Sequence, residues 1–172
     1  MFDKNNNIYS EILVAKNENR KLLAVLLDPD KIELESFESQ VQKIKSSTVT
    51  HIFICGSSMH QSQIDQIIAL TRKSLSLPII LFPGDPCQIS DKADAILFLC
   101  LISGRNPDFL IGHQVTAISK LENSGLEIIS TGYLLIDGGK QTAVETVSNT
   151  LPMEISNPNL IVHTAQAGVL LG

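Results

Sequence analysis

The 172-residue chain contains no tryptophan, and aromatic residues make up only 5% of it. Basic residues are also few: Lys and Arg number 13 against 18 Asp and Glu, a formal net charge of −5. Nucleic-acid binding draws on a cationic surface interleaved with stacking rings, and this composition supplies neither. Cysteine is scarce: Cys55, Cys87 and Cys100 are odd in number and widely spaced, with no Cys-x-x-Cys pair. That pattern excludes a disulfide framework and points to a reducing, cytoplasmic compartment. The longest apolar run, Ala95 to Ile102, falls far short of the ~20 residues a membrane helix needs. The polar start, Met1 to Asn7, lacks the apolar core of a signal peptide, so none is expected. Peripheral contact with a membrane through an amphipathic patch stays open. Several catalytic signatures are missing as well. No Gly-x-Ser-x-Gly elbow, no His-x-x-x-His pair among His51, His60, His113 and His163, and no Gly-x-Gly-x-x-Gly after the first apolar run occur. Gly138-Gly139-Lys140 resembles a phosphate loop only briefly, because Gln141 stands where that loop needs Ser or Thr.

What is present is the composition of a packed domain: 44% apolar and 18% charged residues. The length predicts one domain over 1–172, large enough to bury a core without staples. Five apolar runs read as strands: Leu22 to Leu27, His51 to Cys55, Pro78 to Phe82, Ala95 to Cys100 and Glu127 to Ile136. The first is continuously apolar, as strands buried on both faces of a parallel sheet are. Helical periodicity covers Ile8 to Asn19, Leu34 to Lys45, Gln63 to Lys73 and Phe109 to Asn123. A last helix is expected from Asn159 to Leu171, with Asn157-Pro158 as its start signal. The stretch from Asp137 to Pro158 has weak periodicity and reads as a long functional loop. This alternation is that of a parallel α/β fold. Two architectures fit it, a five-stranded doubly wound sheet and a (β/α)8 barrel present only in part. In both, chemistry sits at the carboxyl ends of the strands.

The strand ends carry the candidate residues. Asp28 follows the first strand directly, in Asp28-Pro29-Asp30-Lys31, where a hard carboxylate suits Mg2+. The competing use is a helix cap, for which Asp30 with Glu33 three residues on is the better candidate. Cys55-Gly56-Ser57-Ser58 closes the second strand. Gly56 allows close backbone approach, and the hydroxyls either cap the next helix or meet an anion or metal. In Phe82-Pro83-Gly84-Asp85-Pro86, Asp85 reads as an Asx-turn residue. Arg105, in Gly104-Arg105-Asn106-Pro107, either binds phosphate or lies in a polar loop. In the fifth strand Gly132 suggests close approach of another group, and Tyr133 offers an apolar ring with a polar tip.

Taken together, Leu26 to Lys31, Cys55 to Ser58, Pro78 to Gly84, Arg105 to Pro107 and Gly132 to Leu134 resemble the geranylgeranylglyceryl phosphate synthase (PcrB-like) family in content and order. The resemblance runs from about Ile8 to Gly172. It implies a (β/α)8 TIM barrel, here about its first five βα units. It also implies a Mg2+-dependent prenyltransferase that joins a long prenyl diphosphate, such as geranylgeranyl diphosphate, to sn-glycerol 1-phosphate, giving an ether-lipid precursor. By position the resemblance makes Asp28 and Ser57 the metal ligands and Gly56, Gly132 and Tyr133 substrate-binding residues, with Leu101, Ile102 and Phe109 beside the prenyl tail. It names no general base. It implies a homo-oligomer. Cys55 replaces the first glycine of the family's Gly-Gly-Ser/Thr turn. Leu26 stands where the bacterial branch carries a Lys for the glycerol phosphate, which places the chain nearer the archaeal-type branch. The family continues for three more βα units that bind the glycerol phosphate. A chain cut short, inactive alone and with an exposed sheet edge, is therefore expected. Two alternatives remain: another phosphate-binding barrel enzyme acting on a sugar or indole phosphate, and a receiver-type signalling module. Asp28, Asp85, Ser103 and Lys140 imitate the receiver layout.

Overall fold

The computed structural model describes residues 7–32, 34–56 and 61–172, leaving the side chains of 34–36 aside. Strands β1 (Ala24–Leu27), β2 (His51–Ile54), β3 (Ile79–Leu81), β4 (Ala95–Cys100) and β5 (Glu127–Gly132) alternate with helices. The helices are α1 (Asn7–Asn17), α2 (Leu34–Lys45), α3 (Gln61–Ser74), α4 (His113–Leu121), α5 (Ala143–Ser148) and α6 (Pro158–Leu171). The strands form one sheet in the order β1-β2-β3-β4-β5. Parallel register pairs Ala24 with His51, Ile52 with Ile79, and Ile80 with Ala95.

That order decides between the two architectures. A doubly wound sheet places its first strand between later ones, whereas a barrel adds each strand beside the last. Among the described strands β1 occupies one edge, next to β2 alone. The receiver reading therefore fails on topology. Its residues are also otherwise engaged: Asp85 Oδ1 accepts the Cys87 N–H at 2.7 Å, capping a 3-10 turn over Pro86–Gln88. Ser103 Oγ accepts the Leu135 N–H at 2.8 Å. The edge position also corrects the expectation for β1. It is not buried on both faces: Leu23 is 47% and Leu26 53% exposed.

The described chain divides into two compact units, Met1–Leu97 with Ser119–Ile129, and Phe98–Ile118 with Ser130–Gly172. In the first, alternate strand residues form two layers. Ile52, Ile54, Ile79, Leu81 and Ile96 are fully buried on one face. Phe37, Val41 and Ile44 of α2, and Ile64, Ile67, Ile68 and Thr71 of α3, make the buried stripes that helical spacing dictates. On the other face Ile80, Ala95 and Ile129 cluster with Ile8 of α1, and Ile12, Phe53 and Leu97 pack against them. Helix α1 is fixed there by Glu127, whose carboxylate accepts the Ile8 N–H at 2.8 Å and the Tyr9 N–H at 2.9 Å.

The second unit departs more from sequence expectation. The helix expected from Phe109 to Asn123 begins as a π-helical turn, Asp108–Gly112, before α4. The fifth strand ends at Gly132 rather than Ile136, because Leu135 turns its N–H to the Ser103 hydroxyl and Ile136 bridges Met153 instead. Within the stretch read as an irregular loop lies α5, capped by Thr142 Oγ1 accepting the Glu145 N–H at 3.2 Å. Thr142-Ala143-Val144-Glu145 is a capping-box sequence, the signal that could have located this helix. Among the described residues no helix is long and apolar enough to cross a membrane.

Candidate active site

In the first unit the candidate residues stand at the carboxyl ends of β1, β2 and β3. Asp28 follows β1 with extended backbone (φ −99°, ψ 103°) and caps a 3-10 turn over Pro29–Lys31. Asp28 thus caps this turn, while Glu33, the partner expected for Asp30 in capping the next helix, lies outside the described residues. Proline fixes the turn's first residue, and Asp28 Oδ1 accepts the Asp30 N–H at 3.1 Å. That bond uses one carboxylate oxygen and orients the other. Oδ2 faces the Lys31 ammonium at 2.7 Å, with the Asp28 side chain 25% and the Lys31 side chain 82% exposed. The carboxylate's hydrogen bond and charge hold Lys31 above the ordinary lysine range.

The carboxylate thus faces a cation, the Lys31 ammonium. It is a hard oxygen donor, of the type Mg2+ selects. Among the described residues no three His, Cys, Asp or Glu side chains converge on a common metal position. The other sequence-derived ligand, Ser57, lies outside the described residues, so only Asp28 of that pair is placed.

Gly56, after β2, is buried, and its carbonyl oxygen lies 3.7 Å from where a Cβ on Gly84 would stand. The Gly84 N–H is held by the buried Gln88 Oε1 at 2.8 Å. Cys55 is half-buried. Burial first, and then the negative charges of Asp28 and Asp30, push its thiol above the ordinary range. The site thus carries a neutral thiol rather than a thiolate ligand. Since nearby anions disfavour the thiolate, Asp28→Asn is expected to shift the pH profile of Cys55 alkylation to lower pH. Iodoacetamide labelling read by peptide mass spectrometry measures this, and an unmoved profile would contradict the coupling.

In the second unit Gly132 ends β5 and Tyr133 follows it. Tyr133 is half-buried, and its N–H donates to the Cys100 carbonyl at 2.8 Å. The space above Gly132 belongs to Ile102: a Cβ on Gly132 would lie 3.1 Å from Ile102 Cδ1, and one on Gly168 of α6 only 2.6 Å. Ile102 and Phe109 are half-buried and Leu101 is buried. The Phe109 ring rests 4.5 Å from that of His113.

The Arg105-Asn106-Pro107 segment is structural here. Arg105 Nη1 donates to the carbonyls of Ile102 at 3.1 Å and Gly104 at 2.6 Å. Asn106 Nδ2 donates to the Ser148 carbonyl at 2.7 Å, tying down the end of α5. Its Oδ1 accepts the Asp108 N–H at 3.0 Å, starting the π-helical turn.

A cavity of about 750 Å3 lies away from these strand ends. Its lining includes Ile8, Glu11, Arg72, Pro78, Asp94 and Glu127. Pro78 and Asp94 immediately precede β3 and β4, and Glu127 begins β5. It therefore sits at the amino ends of the strands. Three of its charged groups are engaged in structure: Arg72 on the Asp94 carboxylate and the Lys92 carbonyl, and Glu127 on α1.

Lys31 is the residue that sequence reading passed over. Its signal was the three-residue spacing from Asp28 across a proline-fixed turn, which brings the two side chains together.

Comparison with known proteins places the chain in a family. The chain is 52% identical over 165 residues to the geranylgeranylglyceryl phosphate synthase of Flavobacterium johnsoniae, covering 96% of this chain and 68% of the relative. It is 35% identical over 157 residues to the enzyme of that name from Korarchaeum cryptofilum, covering 91% and 64%. Bacterial and archaeal relatives therefore both match. Among solved structures, the (S)-3-O-geranylgeranylglyceryl phosphate synthase of Thermoplasma acidophilum, in complex with sn-glycerol-1-phosphate, superposes with a TM-score of 0.85 at 26% identity. That alignment covers 94% of this chain and 65% of the other. The synthase of Thermoplasma volcanium gives 0.86 at 25% identity, covering 96% and 66%. The fold is thus that of the TIM-barrel synthases, and the chain spans about two thirds of its relatives' length. With the PcrB family model matching residues 15–172, the chain belongs to the PcrB family.

Proposed function

We propose that the protein transfers a geranylgeranyl or similar long prenyl group from its diphosphate to sn-glycerol 1-phosphate. The observation that carries this is the 52% identity, over nearly the whole chain, to a geranylgeranylglyceryl phosphate synthase. The fold supports it through a neighbour solved with sn-glycerol-1-phosphate. In the reaction the acceptor hydroxyl oxygen bonds to the allylic carbon and loses its proton. The carbon–oxygen bond to diphosphate breaks, and diphosphate leaves with the electron pair.

Asp28 and Ser57 would hold Mg2+, which when bound supplies neutralising charge for the departing diphosphate. Asp28 is suited to this by its fixed Oδ1 and outward Oδ2. One carboxylate is enough, because Mg2+ is commonly held by one or two carboxylates together with substrate phosphate oxygens. Gly56, buried just after β2, would let substrate approach the backbone closely. Tyr133 presents a half-buried ring to substrate, and Gly132 leaves room for Ile102. Burying a prenyl tail at ~0.8 kcal/mol per methylene would draw on Ile102, Phe109 and Tyr133. No side chain of the chain is assigned as nucleophile, since the acceptor hydroxyl attacks directly. A homo-oligomer working in the cytoplasm, with peripheral contact to the membrane that receives the product, completes the proposal.

The test is a prenyl-transfer assay on the natural protein with geranylgeranyl diphosphate and each glycerol phosphate enantiomer, with and without Mg2+. Product from sn-glycerol 1-phosphate alone, lost on Mg2+ removal, is expected. Binding of a sugar or indole phosphate with no binding of prenyl diphosphate would overturn the proposal in favour of another phosphate-binding barrel enzyme.

A further inference from the structure

The Asp28–Lys31 pair does more than join two neighbouring side chains. The turn that carries it is closed by the Lys31 N–H donating to the Asp28 carbonyl at 2.9 Å, so the two Cα positions are fixed relative to each other. Asp28 Oδ1 is committed to the Asp30 N–H. Lys31 Nζ lies on the other oxygen, Oδ2, at 2.7 Å. A divalent ion that takes Oδ2 must therefore displace the ammonium. Lys31 is well suited to give way. Its side chain is 82% exposed on a flexible four-carbon stem, and exposed pairs of this kind are weak. Once displaced, the ammonium stays within a side chain's length of Asp28, beside any phosphate that accompanies the ion. Ammonium is a strong point-charge donor for phosphate.

We propose that Lys31 is a partner-exchanging residue. It neutralises Asp28 in the metal-free protein and passes to the substrate's diphosphate when the divalent ion takes Oδ2. This rests on the reading of Asp28 as a metal ligand. Lys31 thus weakens binding of the ion alone and strengthens binding of ion and diphosphate together, which favours loading the two as one unit. It acts as a positioning residue for the leaving group.

The test is Mn2+ binding, followed by electron paramagnetic resonance with and without inorganic diphosphate, on the natural protein and its Lys31→Gln, Lys31→Arg and Asp28→Asn variants. Lys31→Gln is expected to bind Mn2+ alone about two- to fivefold more tightly, the range a weak exposed pair allows. The same variant is expected to lose about fivefold or more of the enhancement that diphosphate gives, while Lys31→Arg keeps it. Equal Mn2+ affinity in Lys31→Gln and the natural protein, or binding by neither, overturns the exchange. Unchanged binding in Asp28→Asn would instead remove the metal assignment beneath it. Loss of Mn2+ binding in Asp28→Asn with no change in Lys31→Gln would leave Asp28 standing and Lys31 refuted.

Discussion

Asp28→Asn is expected to lower prenyl transfer at least about a hundredfold while leaving the protein folded. The substitution is nearly isosteric. Asparagine keeps a carbonyl oxygen that can accept the Asp30 N–H, so the 3-10 turn over Pro29–Lys31 retains its cap. What disappears is the negative charge on the oxygen that faces Lys31. That charge would hold the Mg2+ that neutralises the departing diphosphate. Losing one element of such charge stabilisation commonly costs about 10²–10³ in turnover, and the neutral asparagine amide is a poorer ligand for the ion. The loss should appear in kcat and persist at saturating Mg2+, because the defect lies in what the ligand contributes and not only in occupancy. Thermal unfolding checks the alternative, in which the residue is merely a cap. The melting temperature is expected within about 2 °C of the natural protein, since the exposed Lys31 pair contributes little. Activity within twofold of the natural protein would exclude Asp28 from the chemistry. A large fall in both activity and stability would make it a structural residue.

How much of this was legible in the sequence depends on the range of the interactions involved. Local signals read well. Helix α2 and strand β4 fall where periodicity put them, and Asn157 caps α6 as the Asn157-Pro158 signal implied. Asp85 makes the Asx-turn expected of it. Periodicity could not choose between a barrel and a doubly wound sheet. Both need the same alternation of apolar runs, and what separates them is the observed order, with β1 at the edge and β2 between β1 and β3. The helix expected from Phe109 corresponds to α4, but its π-helical opening is not legible, because the Asn106 bonds that shape it include one to Ser148, 42 residues away. The same distance problem applies to Gly132. A glycine in a strand announces that something comes close, and the sequence could not say that the visitor is Ile102. Candidate chemistry was readable because Asp28 sits on a strand end in a short motif. Its partner Lys31 was in plain sight three residues on, yet a surface lysine beside an aspartate carries no distinctive pattern until the turn geometry sets Nζ on Oδ2.

The longest-range interaction of all predicts the largest effect on stability. Glu127→Ala is expected to cost roughly 2–4 kcal/mol and to lower the melting temperature by about 5–15 °C. Glu127 is 6% exposed, and its two oxygens accept the N–H groups of Ile8 and Tyr9 at the start of α1. The first N–H groups of any helix lack intrahelical partners, and a carboxylate there also meets the positive end of the helix dipole. Alanine would leave two donors unsatisfied beside a residue that is itself only 8% exposed, Ile8. Water from the cavity that Ile8 and Glu127 line would replace the carboxylate only in part, because it brings no fixed negative charge to the helix start, where Ile8 packs with Ile80, Ala95 and Ile129. Glu127→Gln, which retains one acceptor oxygen, should fall between the two. Hydrogen exchange distinguishes this tether from general loosening. The amides of Ile8 and Tyr9 are expected to lose protection before those of β2 and β3, whose ladder bonds the substitution does not touch. A melting temperature within 2 °C of the natural protein would mean that the apolar contacts of Ile8 and Ile12 hold α1 in place by themselves, with the carboxylate only following.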